Sequence, residues 1–272
     1  MNRDVDVLVL KVGGSLVSDK ARHDHLDEEV LAGYAKLVAD LHRAAPQRVV
    51  LVVGGGAIGH GAVRHLDAAD PLASLPLTRA TFRVKWAWVE ALRRHGVPCL
   101  PVQVAAVCTL GEDGPEVYPG VLDRLLGHGM LPVLSGDCVL GDDGALHVFG
   151  SDHVPAVVVR SHPGRVRVAV LTDVPGVLAD GPGGSEVLPE IDPESADEAF
   201  RRIWPAADHD TSGAMAGKLT ALLEHARRGA ECFVLRGDHT SADIRFLLRP
   251  RAEWPAGIRS TRIAARRPTP AT

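Results

Sequence analysis

Two glycine-rich turns carry the chemistry most legible in this sequence. The first is Lys11-Val12-Gly13-Gly14-Ser15 and the second runs Gly54-Gly55-Gly56-Ala57-Ile58-Gly59-His60, each following an apolar, β-branched run. Where a strand leaves a sheet and turns into a helix, bare backbone amides and the helix dipole point outward and accept anionic oxygens. Lys11 and Lys20 flank the first turn, and His60 closes the second. Two such turns at one sheet edge suit two phosphoryl-type groups facing each other, the arrangement that phosphoryl transfer requires. Lys11 sits at the carboxyl end of an apolar strand, where an ammonium without an anion is costly to bury. The KVGGS stretch taken alone also fits a plain strand-to-helix turn.

The second turn matches G-x-G-x-x-G, the pattern of dinucleotide-binding folds. Three features weigh against that reading. A complete strand, glycine turn and helix precede it, whereas the dinucleotide fingerprint opens its fold. No strand ending in an acidic residue follows about 20 positions on to hold a ribose; the segment there instead contains Pro71 and Pro76. The preceding unit also has its own glycine pair and lysines.

The second half of the chain suits a nucleotide. The stretch LTDVPGV places Thr172 and Asp173 at a strand end and turns at Pro175-Gly176, an edge that fits a base and ribose. In DTSGAMAGKL, Asp210 and Ser212 precede a helix that carries Lys218. This misses a Walker A loop, because Gly213 and Gly217-Lys218 are too close together and Leu219 stands where a Ser or Thr would bind Mg²⁺. A capped helix with a solvated lysine is the plainer alternative.

The elements that must position these residues follow from periodicity. Strand-like runs at Val5–Lys11, Arg48–Val53, Met130–Leu134, Arg167–Thr172 and Cys232–Leu235 are apolar on successive positions, as in strands covered on both faces. Helical stripes separate them at Glu28–Ala44, Thr81–His95 and Ala216–Gly229, the last two closing at glycines that can act as C-caps. Asp143-Gly144 predicts the turn of a hairpin, and the Gly- and Pro-rich stretch 178–195 predicts a surface loop. The end beyond Ala264 is expected to fray. Alternating strands and helices predict an α/β fold, a three-layer αβα sandwich on a mostly parallel sheet, with ligands at the carboxyl ends of the strands. The 272 residues are read as one domain, with lobes 1–165 for the acceptor and 166–272 for the nucleotide.

Composition closes off other classes. A formal charge of −4 offers no basic field for nucleic acid or an anionic membrane. No apolar run approaches the ~18 residues of a membrane helix, and the start lacks the features of a secretory signal. Cys99, Cys108, Cys138 and Cys232 form no C-x-x-C pair, which predicts buried or semi-buried free thiols and a cytoplasmic setting. The histidines form no H-x-x-x-H motif, so most are expected to be solvated or capping, and His60 stands apart by position.

Taken in order, KVGGSL, GGGAIGH, SGD, SDHVP, LTDVPGV and DTSGAMAGK resemble the amino-acid kinase family over nearly the whole chain. Within it, the His60-ended loop resembles the isopentenyl phosphate kinase branch. GHGAVR, LTRATFRVK, AAVCTL, GAMAGKL, RRGAECFVLRGD and RSTRI resemble the fosfomycin kinases of antibiotic producers. The resemblance implies transfer of the ATP γ-phosphoryl group by Lys11, Lys20, His60, Asp152 and Lys218. Lys11 and Lys20 would touch the migrating group, with Asp152 orienting them. His60 would hold the acceptor, aided by Gly54, Gly55, Gly56, Gly150 and Ser151. ATP would lie against Lys11, Gly13, Gly14, Ser15, Lys20, Thr172, Asp173, Val174, Gly176, Asp210, Ser212, Gly213, Met215 and Lys218. Mg²⁺ would be held chiefly by phosphates and water, with no protein ligand named, and the family implies a homodimer.

The expected acceptor is a small phosphonate, fosfomycin, whose phosphorylation would give self-resistance; isopentenyl phosphate is the alternative. Departures exist: Gly150-Ser151 replaces two adjacent serines of the fosfomycin kinases, and Ile58 replaces a phenylalanine. Gly150 is the residue of the isopentenyl branch. A helix bearing Phe82, Trp86 and Trp88 is either core or a cap on the acceptor site. A non-catalytic binding protein on the same fold is a third reading, disfavoured by the presence of Lys11, Lys20 and Lys218.

Overall fold

The computed structural model describes residues 5–18, 25–63, 70–181, 183–197, 200, 214–241 and 243–265. The first half runs β1 (Val7–Val12), α1 (Glu28–Ala44), β2 (Val49–Val53), α2 (Gly56–Val63), α3 (Leu75–Arg94), β3 (Cys99–Pro101), β4 (Cys108–Gly111) and β5 (Gly114–Val117). Then follow α4 (Val121–Gly127), β6 (Leu131–Ser135), β7 (Asp137–Leu140), β8 (Leu146–Phe149) and α5 (Pro155–Ser161). The chain continues through β9 (Val166–Thr172), β10 (Glu190–Ile191), α6 (Ala214–Arg227), β11 (Glu231–Arg236) and β12 (Ser260–Ile263).

Eight strands form one sheet in the order β10-β12-β11-β9-β1-β2-β6-β3. All neighbours are parallel except β11 and β12. Side chains alternate across each strand, and that alternation sorts the core into two layers. Leu8, Leu10 and Val12 pack with Leu51, Tyr34 of α1 and Trp88 of α3. Val7 and Val9 point the other way, to Leu126 of α4, Val157 of α5 and Leu222 of α6. The expected αβα sandwich is present. Lys11 continues the Val7 and Val9 register, so the pleat itself directs it toward the α5 and α6 layer.

Several boundaries differ from the sequence reading. α3 starts at Leu75 rather than Thr81, because Pro76 falls in its first turn, where proline loses no helical bond. The 178–195 stretch is not all loop: Glu190–Ile191 pairs in parallel with Arg262 and Ile263. The hairpin at Asp143-Gly144 forms as β7 and β8, with Gly144 at φ +77°. Gly96 and Gly229, at φ +73° and +96°, close α3 and α6. A second hairpin, β4–β5, was not legible in the periodicity. The four cysteines are free, three of them buried. No described helix is long and apolar enough to cross a membrane. Residues beyond 265 lie outside the described residues.

Candidate active site

The two glycine turns meet. Gly13 N–H donates to the carbonyl of Leu171 at 2.9 Å, and Gly54 N–H donates to that of Val12 at 2.9 Å, so each turn is fastened to the strand beside it. A Cβ on Gly14 would lie 2.5 Å from the Gly56 Cα, and one on Gly54 would lie 2.9 Å from the Gly14 Cα. No side chain fits between the backbones. Gly56 is fixed a second way, by φ +54°. Ser18 joins the turns: its hydroxyl donates to the Gly14 carbonyl at 2.9 Å and accepts from Ala57 N–H at 3.0 Å. Sequence reasoning passed over Ser18. Its signal was faint, a small polar residue a few positions past a glycine pair.

Lys11 lies beneath this junction. In register it is flanked by Val170 of β9 and Val52 of β2. It is 2% exposed. Its ammonium donates to Asp152 Oδ1, its one hydrogen bond among the described residues. Burial lowers the Lys11 pKa; the Asp152 charge opposes this and the Lys218 charge adds to it. Burial would raise the Asp152 carboxyl, but the charges of Lys11 and Lys218 outweigh it and hold the group below the usual carboxylate range. Lys11 and Lys218 both act on Asp152 and repel each other. An anion arriving between Lys11 and Lys218 relieves that repulsion.

Asp152 follows a tightly packed edge. A Cβ on Gly136 would lie 2.7 Å from the Phe149 carbonyl and 2.8 Å from Ser151 N, so the Ser135-Gly136-Asp137 turn backs directly onto Gly150-Ser151. A Cβ on Gly150 would meet nothing within 4 Å. From the other side, His225 of α6, 1% exposed, bonds through Nε2 to the Asp152 carbonyl at 3.1 Å. That bond requires the Nε2–H tautomer. Burial pushes the imidazole down to about 4, so the ring is neutral near pH 7. His225 and His42, which bonds the Gly129 carbonyl at 3.0 Å, are buried structural histidines, exceptions to the expectation that most are solvated or capping.

On the far side of Lys11, Thr172 ends β9. Its hydroxyl donates to Asp173 Oδ1 at 2.9 Å, and its carbonyl accepts from Gly237 N–H at 2.7 Å. Asp173 is exposed and Val174 half-buried. A Cβ on Gly176 would lie 2.6 Å from Val187 and 2.7 Å from Thr261 Oγ1, which makes its glycine a packing requirement. Met215 and Lys218 are half-buried on α6. Ser15 is exposed just after the first turn.

The strand order therefore separates two groups of candidates around one lysine. Thr172 and its neighbours lie on the β9 side, and Gly54–Gly56 with Gly150-Ser151 lie on the β2 and β6 side. Lys20, Asp210, Ser212 and Gly213 lie outside the described residues. For His60 only the backbone, within α2, is described. Of the three aromatics of α3 only Trp88 is core; Phe82 and Trp86 are 46% and 43% exposed and stack on each other. Asp152, the carboxylate at Lys11, is already engaged by an ammonium, and no described cluster of three His, Cys, Asp or Glu could cage a metal.

The sequence profile of the amino acid kinase family matches residues 6–236. The chain belongs to that family. It is 35% identical over 228 residues to isopentenyl phosphate kinase of Haloferax volcanii, covering 80% of this chain and 88% of that protein. It is 25% identical over 246 residues to isopentenyl phosphate kinase of Methanothermobacter thermautotrophicus, covering 84% and 90%. Among solved structures, one described as isopentenyl phosphate kinase superposes with a TM-score of 0.72 over 94% of this chain and 100% of that one, at 22% identity.

These relatives correct the expected acceptor. The phosphonate reading rested on short shared stretches, whereas the similarity spanning most of the chain is to kinases named for a phosphate monoester. Gly150 agrees with the correction. Since a side chain there would meet open space, no packing constraint explains the missing serine.

Proposed function

We propose that this chain is an ATP-dependent kinase that phosphorylates isopentenyl phosphate to isopentenyl diphosphate. Similarity to the Haloferax volcanii enzyme over 80% of this chain and 88% of that protein supports the acceptor. The observation that carries the chemistry is Lys11, buried under two touching glycine turns with ionised Asp152 on one side and Lys218 in electrostatic reach.

In this reading an acceptor phosphate oxygen attacks the γ-phosphorus of ATP. The new P–O bond forms as the bond to the β,γ-bridging oxygen breaks, and ADP departs with that electron pair. A phosphate monoester is already largely ionised near neutral pH, so the attacking oxygen needs no general base. The obstacle is mutual repulsion of two anions, and preset donors lower it. Lys11, central between the two edges, donates to the passing phosphoryl group, and Lys20 is proposed to share that role. Asp152 aims Lys11 without touching substrate. The Gly55 and Gly56 amides, Ser151 and His60 hold the acceptor, while Gly54, whose own N–H is bonded to the Val12 carbonyl, shapes the turn. Thr172, Asp173, Val174 and Gly176 line the nucleoside, while Gly13, Gly14, Ser15, Asp210, Ser212, Gly213, Met215 and Lys218 serve the ATP phosphates. Mg²⁺ enters with ATP as its counterion. Residues 1–165 then form the acceptor lobe and 166–272 the nucleotide lobe of a homodimeric, cytoplasmic enzyme.

The test is product analysis by ³¹P NMR after mixing the protein, Mg-ATP and isopentenyl phosphate. The reading expects ADP and a diphosphate ester in equal amounts. ADP formation with glutamate or N-acetylglutamate, and none with isopentenyl phosphate, would overturn it.

A further inference from the structure

A buried polar network outside the reacting groups joins the helix over the acceptor side to the edge that carries Gly150-Ser151. Lys85 of α3 is fully buried, and its ammonium donates to the Val102 carbonyl at 3.3 Å and to Gln103 Oε1. The Gln103 amide donates in turn to Asp137 Oδ2. Asp137 is 1% exposed, and its other oxygen accepts from the Thr78 hydroxyl at 2.8 Å and from Cys138 N–H at 2.9 Å. Thr78 and Lys85 lie seven positions apart, on the same face of α3. α3 itself packs on α2, the helix that contains His60, and on β6 and β7.

Asp137 is placed where such a network would matter. It pairs with Phe149 across the β7–β8 ladder, one residue before Gly150. Gly136, on its other side, is the residue pressed against the backbone of Gly150-Ser151. Apolar packing would tolerate small slides between α3 and this hairpin. A hydrogen-bonded chain from an ammonium through an amide to a carboxylate does not, because each displaced member leaves a buried group unpaired.

We infer that Lys85, Gln103, Asp137 and Thr78 are positioning residues that lock α3 to the Gly150-Ser151 edge and so set affinity for the acceptor, with little effect on ATP. The inference rests on the acceptor assignment above only for the choice of substrate. The network's hydrogen bonds run among α3, the turn at Gln103 and β7, all on the β2 and β6 side of Lys11 and away from the Thr172–Gly176 segment at the end of β9.

The test compares Thr78→Val and Gln103→Leu with wild type and with the conservative Thr78→Ser. Loss of one buried partner is expected to raise the acceptor KM about tenfold, with the ATP KM changed less than about twofold. Thr78→Ser, which keeps the hydroxyl, restores the wild-type acceptor KM. Amide hydrogen exchange without any substrate gives the independent arm: both disruptive variants should exchange faster at residues 149–152 and unchanged at residues 171–177. Equal rises in both KM values, or unaltered exchange at residues 149–152, would overturn the network's role. If wild type does not phosphorylate isopentenyl phosphate, the acceptor assignment fails while the exchange arm still decides the network.

Discussion

Gly14 and Gly54 stand back to back at the sheet edge: a Cβ on Gly54 would strike the Gly14 backbone, and one on Gly14 would strike that of Gly56 beside it. The contact brings two strand-to-helix turns, 40 residues apart in sequence, close enough for a buried lysine to serve both.

Adding one methyl group should separate these turns. Gly14→Ala or Gly54→Ala forces backbone against backbone and is expected to destabilise the protein by about 1–3 kcal/mol, with loss of phosphoryl transfer. Gly61→Ala serves as the opposite control: it lies in α2 with open space around its Cβ. Its helix propensity predicts a gain of about 0.5–1 kcal/mol. Urea unfolding of the three variants reads both signs.

Asp152→Asn should change the pH dependence of turnover in a defined direction. The Asp152 charge raises the Lys11 pKa against burial and Lys218. Its removal lets the ammonium lose its proton at lower pH, so the alkaline limb of the kcat profile moves toward neutrality. An unmoved limb would mean that Asp152 does not hold Lys11 charged.

His225 should behave as a neutral donor that anchors Asp152. His225→Leu leaves the Asp152 carbonyl unpaired in a buried setting and is expected to lower kcat about tenfold, with His225→Gln retaining most of the activity. Its folded pKa, about 4, lies below the unfolded value. The unfolded chain therefore binds the extra proton between about pH 4 and 6.5, and stability falls as pH drops through that window. NMR titration of this imidazole with a midpoint near 6.5 would contradict the assignment.

Lys85 carries a linkage of the same sign in an alkaline window. Burial lowers its pKa to about 8, although the Asp137 charge opposes the shift. Between about pH 8 and 10.4 the unfolded chain holds the proton that the folded chain has released, so wild-type stability rises with pH across that range. Lys85→Met abolishes this contribution. The wild-type free energy of unfolding should gain about 2 kcal/mol on the variant between pH 8 and pH 10. Tyr34, pushed up to about 12 by burial, opposes the rise in both proteins above pH 10 and cancels in the comparison.

Much of the scaffold was legible because its causes are local. The apolar runs of β1, β2, β6, β9 and β11 are buried on both faces, and such strands announce themselves in sequence. Lys11 was legible for the same reason, as a charge in a place where only pairing permits one. The partners of that charge were not legible as contacts, since Asp152 lies 141 residues away. Ser18, His225 and the Lys85 network escaped because each is meaningful only through tertiary neighbours. Lone polar residues on amphipathic helices look alike in sequence whether they face solvent or a buried carbonyl. The short β10 was hidden by its Gly- and Pro-rich surroundings, and only pairing with β12 makes it a strand.

The measurement closest to the central claim is steady-state kinetics of Lys11→Ala with Mg-ATP and isopentenyl phosphate. If Lys11 donates to the phosphoryl group in transit, kcat falls about 10²–10³-fold, the scale for losing one transition-state donor, and the ATP KM stays near wild type. A rise in the ATP KM with kcat unchanged would show that Lys11 binds nucleotide uniformly and takes no part in the transfer.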